Sequence, residues 1–151
     1  MEINLDDDLF YLCSLIEYTA RHTTNHRSTI VACMGLEGIK KQLHDAGVNH
    51  CLSFEQVCDE ITEWYSIKVG DFDTISNCPY SVPDFQSIGR LYSYIILDCA
   101  PSHDEDDIVQ ETMKVFSSFI SDAISNFSSD LYYQNPSYLE WSYREGHLLD
   151  W

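Results

Sequence analysis

Six histidines and six cysteines are the side chains of this chain best suited to chemistry. Imidazole titrates near neutral pH and ligates metals, and a thiolate is both a nucleophile and a soft metal ligand. Spacing decides whether they cooperate. No C-x-x-C occurs, and the two nearest cysteines, Cys51 and Cys58, are seven positions apart, which disfavours a structural zinc site. His22 and His26 are four apart and would share a face on a continuous helix. However, Thr23 stands where a zinc protease helix has glutamate, and Thr23, Thr24 and Asn25 read as a helix end. His44, His50, Cys51 and Cys58 form a looser group across a turn. All six thiols, Cys13, Cys33, Cys51, Cys58, Cys78 and Cys99, are scattered without tight pairs and mostly fall among apolar residues, a pattern of reduced, buried cysteines in a cytoplasm. No glycine-rich phosphate loop or G-x-S-x-G elbow is present. No catalytic residue, metal or other cofactor is expected. A small helical metal- or thiol-dependent enzyme is the competing class.

The charge is more informative. The chain has 151 residues, a formal charge of −17 and 44% hydrophobic residues, with ten Tyr, seven Phe and three Trp. A disordered acidic tail lacks the aromatic and branched residues that build a core, so this acidity belongs to a folded surface. Phosphate backbones are repelled by such a surface, and direct nucleic-acid binding is not expected. A basic protein surface is attracted. The acids are uneven: from Tyr92 onward eleven stand against Lys114 and Arg144 alone, whereas Arg21, Arg27, Lys40 and Lys41 outnumber Glu37 in the stretch 21–41. This distribution predicts a dipolar molecule. Asp104, Asp106, Asp107, Glu111 and Asp122 begin a row of carboxylates on one helical stretch, as a nucleic-acid mimic would need. The first of these also favour a helix start through its dipole.

The elements that position these groups read as helices, because apolar residues recur at helical spacing almost throughout. Leu9, Leu12, Cys13, Ile16 and Ala20 mark the first, and Ser28 caps a short second that stops at Gly35. A third runs over 36–46 to Gly47. Ser53 with Gln56 is a capping box opening a fourth. Residues 68–83 lose periodicity and contain Gly70, Pro79 and Pro83, which suits an interaction loop, with room for one short hairpin near 68–82. Helices over 84–98 and 104–127, the second with Ser102 and Glu105 as its capping box, are expected at the centre of the fold. Asn135 and Pro136 open a last helix. The segment 130–151 is aromatic, and Tyr132, Tyr133, Tyr138 and Trp141 are candidate anchors for a partner.

Residues 9–59, LFYLCSLIEYTARHTTNHRSTIVACMGLEGIKKQLHDAGVNHCLSFEQVCD, contain the motif LIEYTAR at 15–21 and an LHDAG turn at 43–47. This third of the chain resembles small helical domain-of-unknown-function proteins of gut Firmicutes found beside predicted ADP-ribosyltransferase-like proteins. The resemblance implies a toxin-associated or mobile-element protein that works by binding, and it carries over no catalytic residues. After Asp59 the chain departs from that pattern.

The sequence thus predicts an all-α single domain, 1–151, of six or seven helices. It reads as a cytoplasmic, non-membrane, acidic protein-binding module of bacterial or phage type: an inhibitor, antitoxin or immunity protein that engages a basic protein surface. The competing structural reading is a homo-dimer or higher homo-oligomer.

Overall fold

The computed structural model describes residues 4–150. It is all-helical, with seven α-helices among the described residues. Helix α1 (Leu5–Thr23) opens with Asp6, Asp7 and Asp8, where the helix dipole favours negative charge, and carries Arg21 and His22 in its last turn. The Asp8 carboxylate accepts a hydrogen bond from the Asn4 N–H at 2.9 Å. The helix stops at Thr24, left-handed at φ 52°, whose neighbour Asn25 donates its N–H back to the Ala20 carbonyl.

Helix α2 (Arg27–Asn49) is a single run kinked at Gly35, where φ 68° and ψ 173° are open only to glycine. The predicted break at Gly35 is therefore a bend between two helical halves that stay in line of sequence. Gly47 does not end the helix, which continues to Asn49. Helix α3 (Phe54–Trp64) begins as expected, with the Ser53 hydroxyl accepting from the Gln56 N–H. Helix α4 (Phe85–Cys99) is capped by Asp84.

The long helix expected over 104–127 is two helices, α5 (Glu105–Ser117) and α6 (Phe119–Ser125). Ser118 between them is extended, at φ −83° and ψ 169°. Its hydroxyl donates to the Val115 carbonyl and accepts from the Ile120 N–H, offering the backbone the local alternative that serine competes with in helices. Asp104, not Ser102, is the residue that begins α5. The Ser102 hydroxyl instead accepts from the Asp104 N–H and donates to the Asp107 carboxylate. Among the described residues there is no strand, so the hairpin near 68–82 does not form. A short 3-10 turn, Leu131–Tyr133, leads to α7 (Pro136–Glu145), which closes at Gly146 with φ 84°.

Packing places α1 at the centre. Its main partners are α4 and α2, while α2 also lies along α5, and α7 docks on α4. One face of α1 contributes Leu9, Leu12, Cys13, Ile16 and Ala20 to the main core with Ile95, Ile96, Phe116 and Ile120. Its other face adds Tyr11 and Leu15 to a smaller cluster with Ala46, Val57 and Ile61. Burial on both sides makes α1 central, together with α4, the helix expected at the centre over 84–98, which packs on α1, α5 and α7. Each fully buried leucine or isoleucine contributes roughly 2 kcal/mol. The α1–α4 crossing is close: a Cβ on Gly89 would lie 2.2 Å from the Ser14 hydroxyl.

Candidate functional site

The segment 68–83 has no periodicity, yet it is held down at three points across the α1–α2 junction. Gly70 and Phe72 donate their N–H groups to the carbonyls of Thr23 and Thr24, and the Asn25 side-chain amide donates to the Lys68 carbonyl. Gly70 is required there, because a Cβ would lie 2.3 Å from the Asn25 side-chain oxygen. Further along, the Asp73 carboxylate accepts from the N–H groups of Ile75 and Ser76 and from the Ser76 hydroxyl, forming a tight turn. These hydrogen bonds, the Ser76 hydroxyl foremost, hold the Asp73 carboxyl below its ordinary pKa. Anchored in this way, the loop carries Tyr80 to the chain just beyond α6.

There Tyr80 faces Phe127, Ser128, Asp130, Tyr132 and Tyr133 across a concavity of about 500 Å³. Phe127 is its buried floor, with Tyr132 edge-on at 5.7 Å between ring centroids. Tyr132 and Tyr133 lie 4.5 Å apart. Tyr80 and Tyr133 are 64% and 79% exposed, so these two large rings stand in water at the rim. A second recess of about 220 Å³ adjoins through Ser128 and is lined by Asp73, Asn77, Cys78 and Asn126. Desolvation and the neighbouring Tyr133 raise the Tyr132 hydroxyl above its ordinary pKa. Two elements that the sequence marked separately, the interaction loop and the aromatic C-terminal segment, therefore meet in one site. Tyr80 and Asp130 were not marked. The only signal for Tyr80 is an aromatic residue between Pro79 and Pro83 with no apolar partner at helical spacing.

The other predicted anchors separate. Tyr138 turns inward against the core and its hydroxyl donates to the Leu149 carbonyl at 2.8 Å. Trp141 is half exposed on α7, with the Arg144 guanidinium 5.1 Å over its ring. The carboxylate row is similarly divided. Asp104 is exposed, Asp106 pairs with Lys40 at 3.3 Å, Asp107 accepts from Ser102, and Asp122 pairs with His26 at 2.9 Å. Glu111 does not reach the surface: it is 5% exposed and accepts a hydrogen bond from the Tyr143 hydroxyl.

The four cations of the stretch 21–41 do not form a positive face. Glu17, fully buried, receives Arg27 Nε at 2.8 Å and Arg21 Nε at 2.7 Å. Lys40 and Lys41 pair with Asp106 and Asp45. Burial alone would raise the Glu17 carboxyl, but Arg27 and then Arg21 outweigh it and hold the group below its ordinary pKa. Each cation of this stretch is thus met by a local carboxylate.

The candidate chemical residues also disperse. His22 stacks on Tyr18, while His26 stacks on Phe72 at 3.8 Å. His44 pairs with Glu105, and His50 lies against Tyr11. Cys13 and Cys58 are buried, but Cys33 and Cys51 are exposed, contrary to the apolar neighbours that suggested burial. Burial raises the Cys13 thiol far out of the reactive range. Among the described residues no three His, Cys, Asp or Glu side chains are grouped to hold a metal ion, and no helix is long and apolar enough to cross a membrane.

No family model matches the chain, and no curated protein or solved structure matches it. Its class is accordingly defined by its own fold and surface, as an acidic all-α domain.

Proposed function

We propose that this is a cytoplasmic protein-binding module of the inhibitor, antitoxin or immunity type, and that it engages a basic protein surface through the concavity between residues 80 and 127–133. The single observation that carries this reading is that Tyr80 and Tyr133 stand exposed around one concavity beside Asp130, on a molecule of charge −17. Exposed tyrosines supply large, stiff contact area at low entropic cost, and the surrounding acids raise the encounter rate with a basic partner. The resemblance of residues 9–59 to proteins encoded beside predicted ADP-ribosyltransferase-like proteins points in the same direction. Mimicry of nucleic acid is the narrower form. It draws on Asp104, Asp106, Asp107 and Asp122, of which Asp106 and Asp122 are already committed to Lys40 and His26.

The test is capture from nuclease-treated lysate by the tagged protein, eluted along a salt gradient. One basic protein leaving at moderate salt is the expected result. Recovery of the protein alone, together with a dimer in light scattering, would replace the reading with a homo-oligomer.

A further inference from the structure

We propose that the concavity between Tyr80, Tyr132 and Tyr133 is a cage for the guanidinium of an arginine carried by the basic partner. The inference rests on the protein-binding reading above and names what the site accepts.

Aromatic faces carry a negative quadrupole and attract a cation placed over them. Three tyrosine rings border the site and Phe127 floors it. The polar groups that complete the lining are the Asp130 carboxylate and serine hydroxyls, and no lysine, arginine or histidine is among them. The adjoining recess has no ring in its lining, but it too carries a single carboxylate, Asp73, and no basic side chain. The site therefore offers hydrogen-bond acceptors and π-faces, and it presents no basic side chain to an incoming cation. Arg21 lies 5.0 Å over the Phe127 ring beneath the site, where its charge is met by Glu17 at 2.7 Å, so the faces open to a ligand are those of the three tyrosines. Across the whole chain, 25 acids against eight lysines and arginines favour a positively charged occupant over a neutral or anionic one. Arginine fits better than lysine because its planar group stacks on rings while its five N–H donors reach several acceptors at once, and it is more weakly hydrated than an ammonium.

The test is carbon-detected NMR of the tyrosine rings, titrated with ethylguanidinium and with an acetyl-Gly-Arg-Gly-Arg-Gly amide peptide. The same peptide with lysine or citrulline in place of arginine serves for comparison. The arginine peptide is expected to shift the rings of Tyr80, Tyr132 and Tyr133 while leaving buried Tyr92 unmoved. It should bind several-fold more tightly than the lysine peptide and at least tenfold more tightly than the citrulline peptide. Tyr80→Ala with Tyr133→Ala should weaken it at least tenfold, and Asp130→Asn about threefold. All three side chains are exposed, so the fold survives their loss. Equal binding of the arginine and lysine peptides would overturn the assignment to arginine. Unshifted rings, or binding unchanged in the double variant, would overturn the cage while leaving general attraction of basic proteins intact. Failure of the lysate capture would remove the protein-binding reading itself, which keeps the two outcomes distinct.

Discussion

Glu17 is a buried carboxylate met by Arg27 and Arg21, and these two arginines show how a charged residue is tolerated in the interior. The carboxylate is fully buried, and Arg27 at 1% exposure meets it with two nitrogens. A buried pair of this kind is costly to break because the remaining charge is stranded. Glu17→Ala is expected to destabilise the fold by about 3–5 kcal/mol in denaturant unfolding. Replacing Glu17, Arg27 and Arg21 together by methionine should recover most of that loss, because no charge of the group is then left stranded. Tyr11 presents the opposite case: its hydroxyl is buried without a hydrogen-bond partner. Desolvation, followed by Glu60, raises its pKa to about 12. A raised folded-state pKa means stability that is intact below the unfolded value of 10 and lost as the pH climbs toward 12. Tyr11→Phe is therefore expected to stabilise the protein by about 1 kcal/mol at neutral pH and to blunt its alkaline unfolding. Neither environment is legible in the sequence. Glu17 follows Ile16 on what reads as the edge of an amphipathic stripe, and only the presence of helices on both sides of α1 makes it interior.

At the scale of elements, the helices were legible where local signals agreed. The Ser53 cap and the Asn135–Pro136 start each make the bond their spacing predicts, and the helix read from residue 84 onward begins there with Asp84 as its cap. The division of the stretch 104–127 was not legible, because the apolar stripe runs through Ser118 in both directions and the break lies in one hydroxyl's backbone bonds. The course of residues 68–83 was equally hidden, since its anchors are the carbonyls of Thr23 and Thr24 and the side chains of Thr24 and Asn25, polar residues that read in the sequence only as a helix end. Gly35 is a point where the sequence and the bend coincide. Gly35→Ala meets no atom within 4 Å, yet its φ of 68° should still cost about 1–3 kcal/mol by thermal unfolding. Helix α7 belongs to the fold as well as to any interface, because Leu139 is fully buried. Deleting the chain after Ser129 is thus expected to unfold the domain, whereas Trp141→Ala should leave its melting temperature within a degree or two. This is why point changes at Tyr80 and Tyr133 test the site more cleanly than truncation.

At the scale of the molecule, charge is the governing property. A net charge of −17 sets like charges against one another in the compact state. Raising the salt from 0.05 to 0.5 M is expected to raise the melting temperature, since exposed repulsions are screened over a Debye length of about 10 Å at 0.1 M. Burial, and Asp98 beside it, raise the Glu140 carboxyl above its ordinary pKa, so lowering the pH through that raised value should stabilise the fold. The Glu17 pair reverses the trend further down. Because the folded pKa of Glu17 is lowered, its contribution is present above the ordinary value of 4.5 and is lost as the pH falls through the lowered one. Stability should consequently pass through a maximum on the acidic side of neutrality. The total charge was readable from composition, but the pairing of the basic stretch 21–41 with Glu17, Asp106 and Asp45 was not. The measurement that tests the central claim most directly is the affinity of the captured partner for the native protein and for the Tyr80→Ala, Tyr133→Ala double variant at two salt concentrations. The account predicts affinity that falls with salt for the native protein and at least a tenfold loss for a variant that remains folded. Equal affinity of the two proteins at both salts would contradict it.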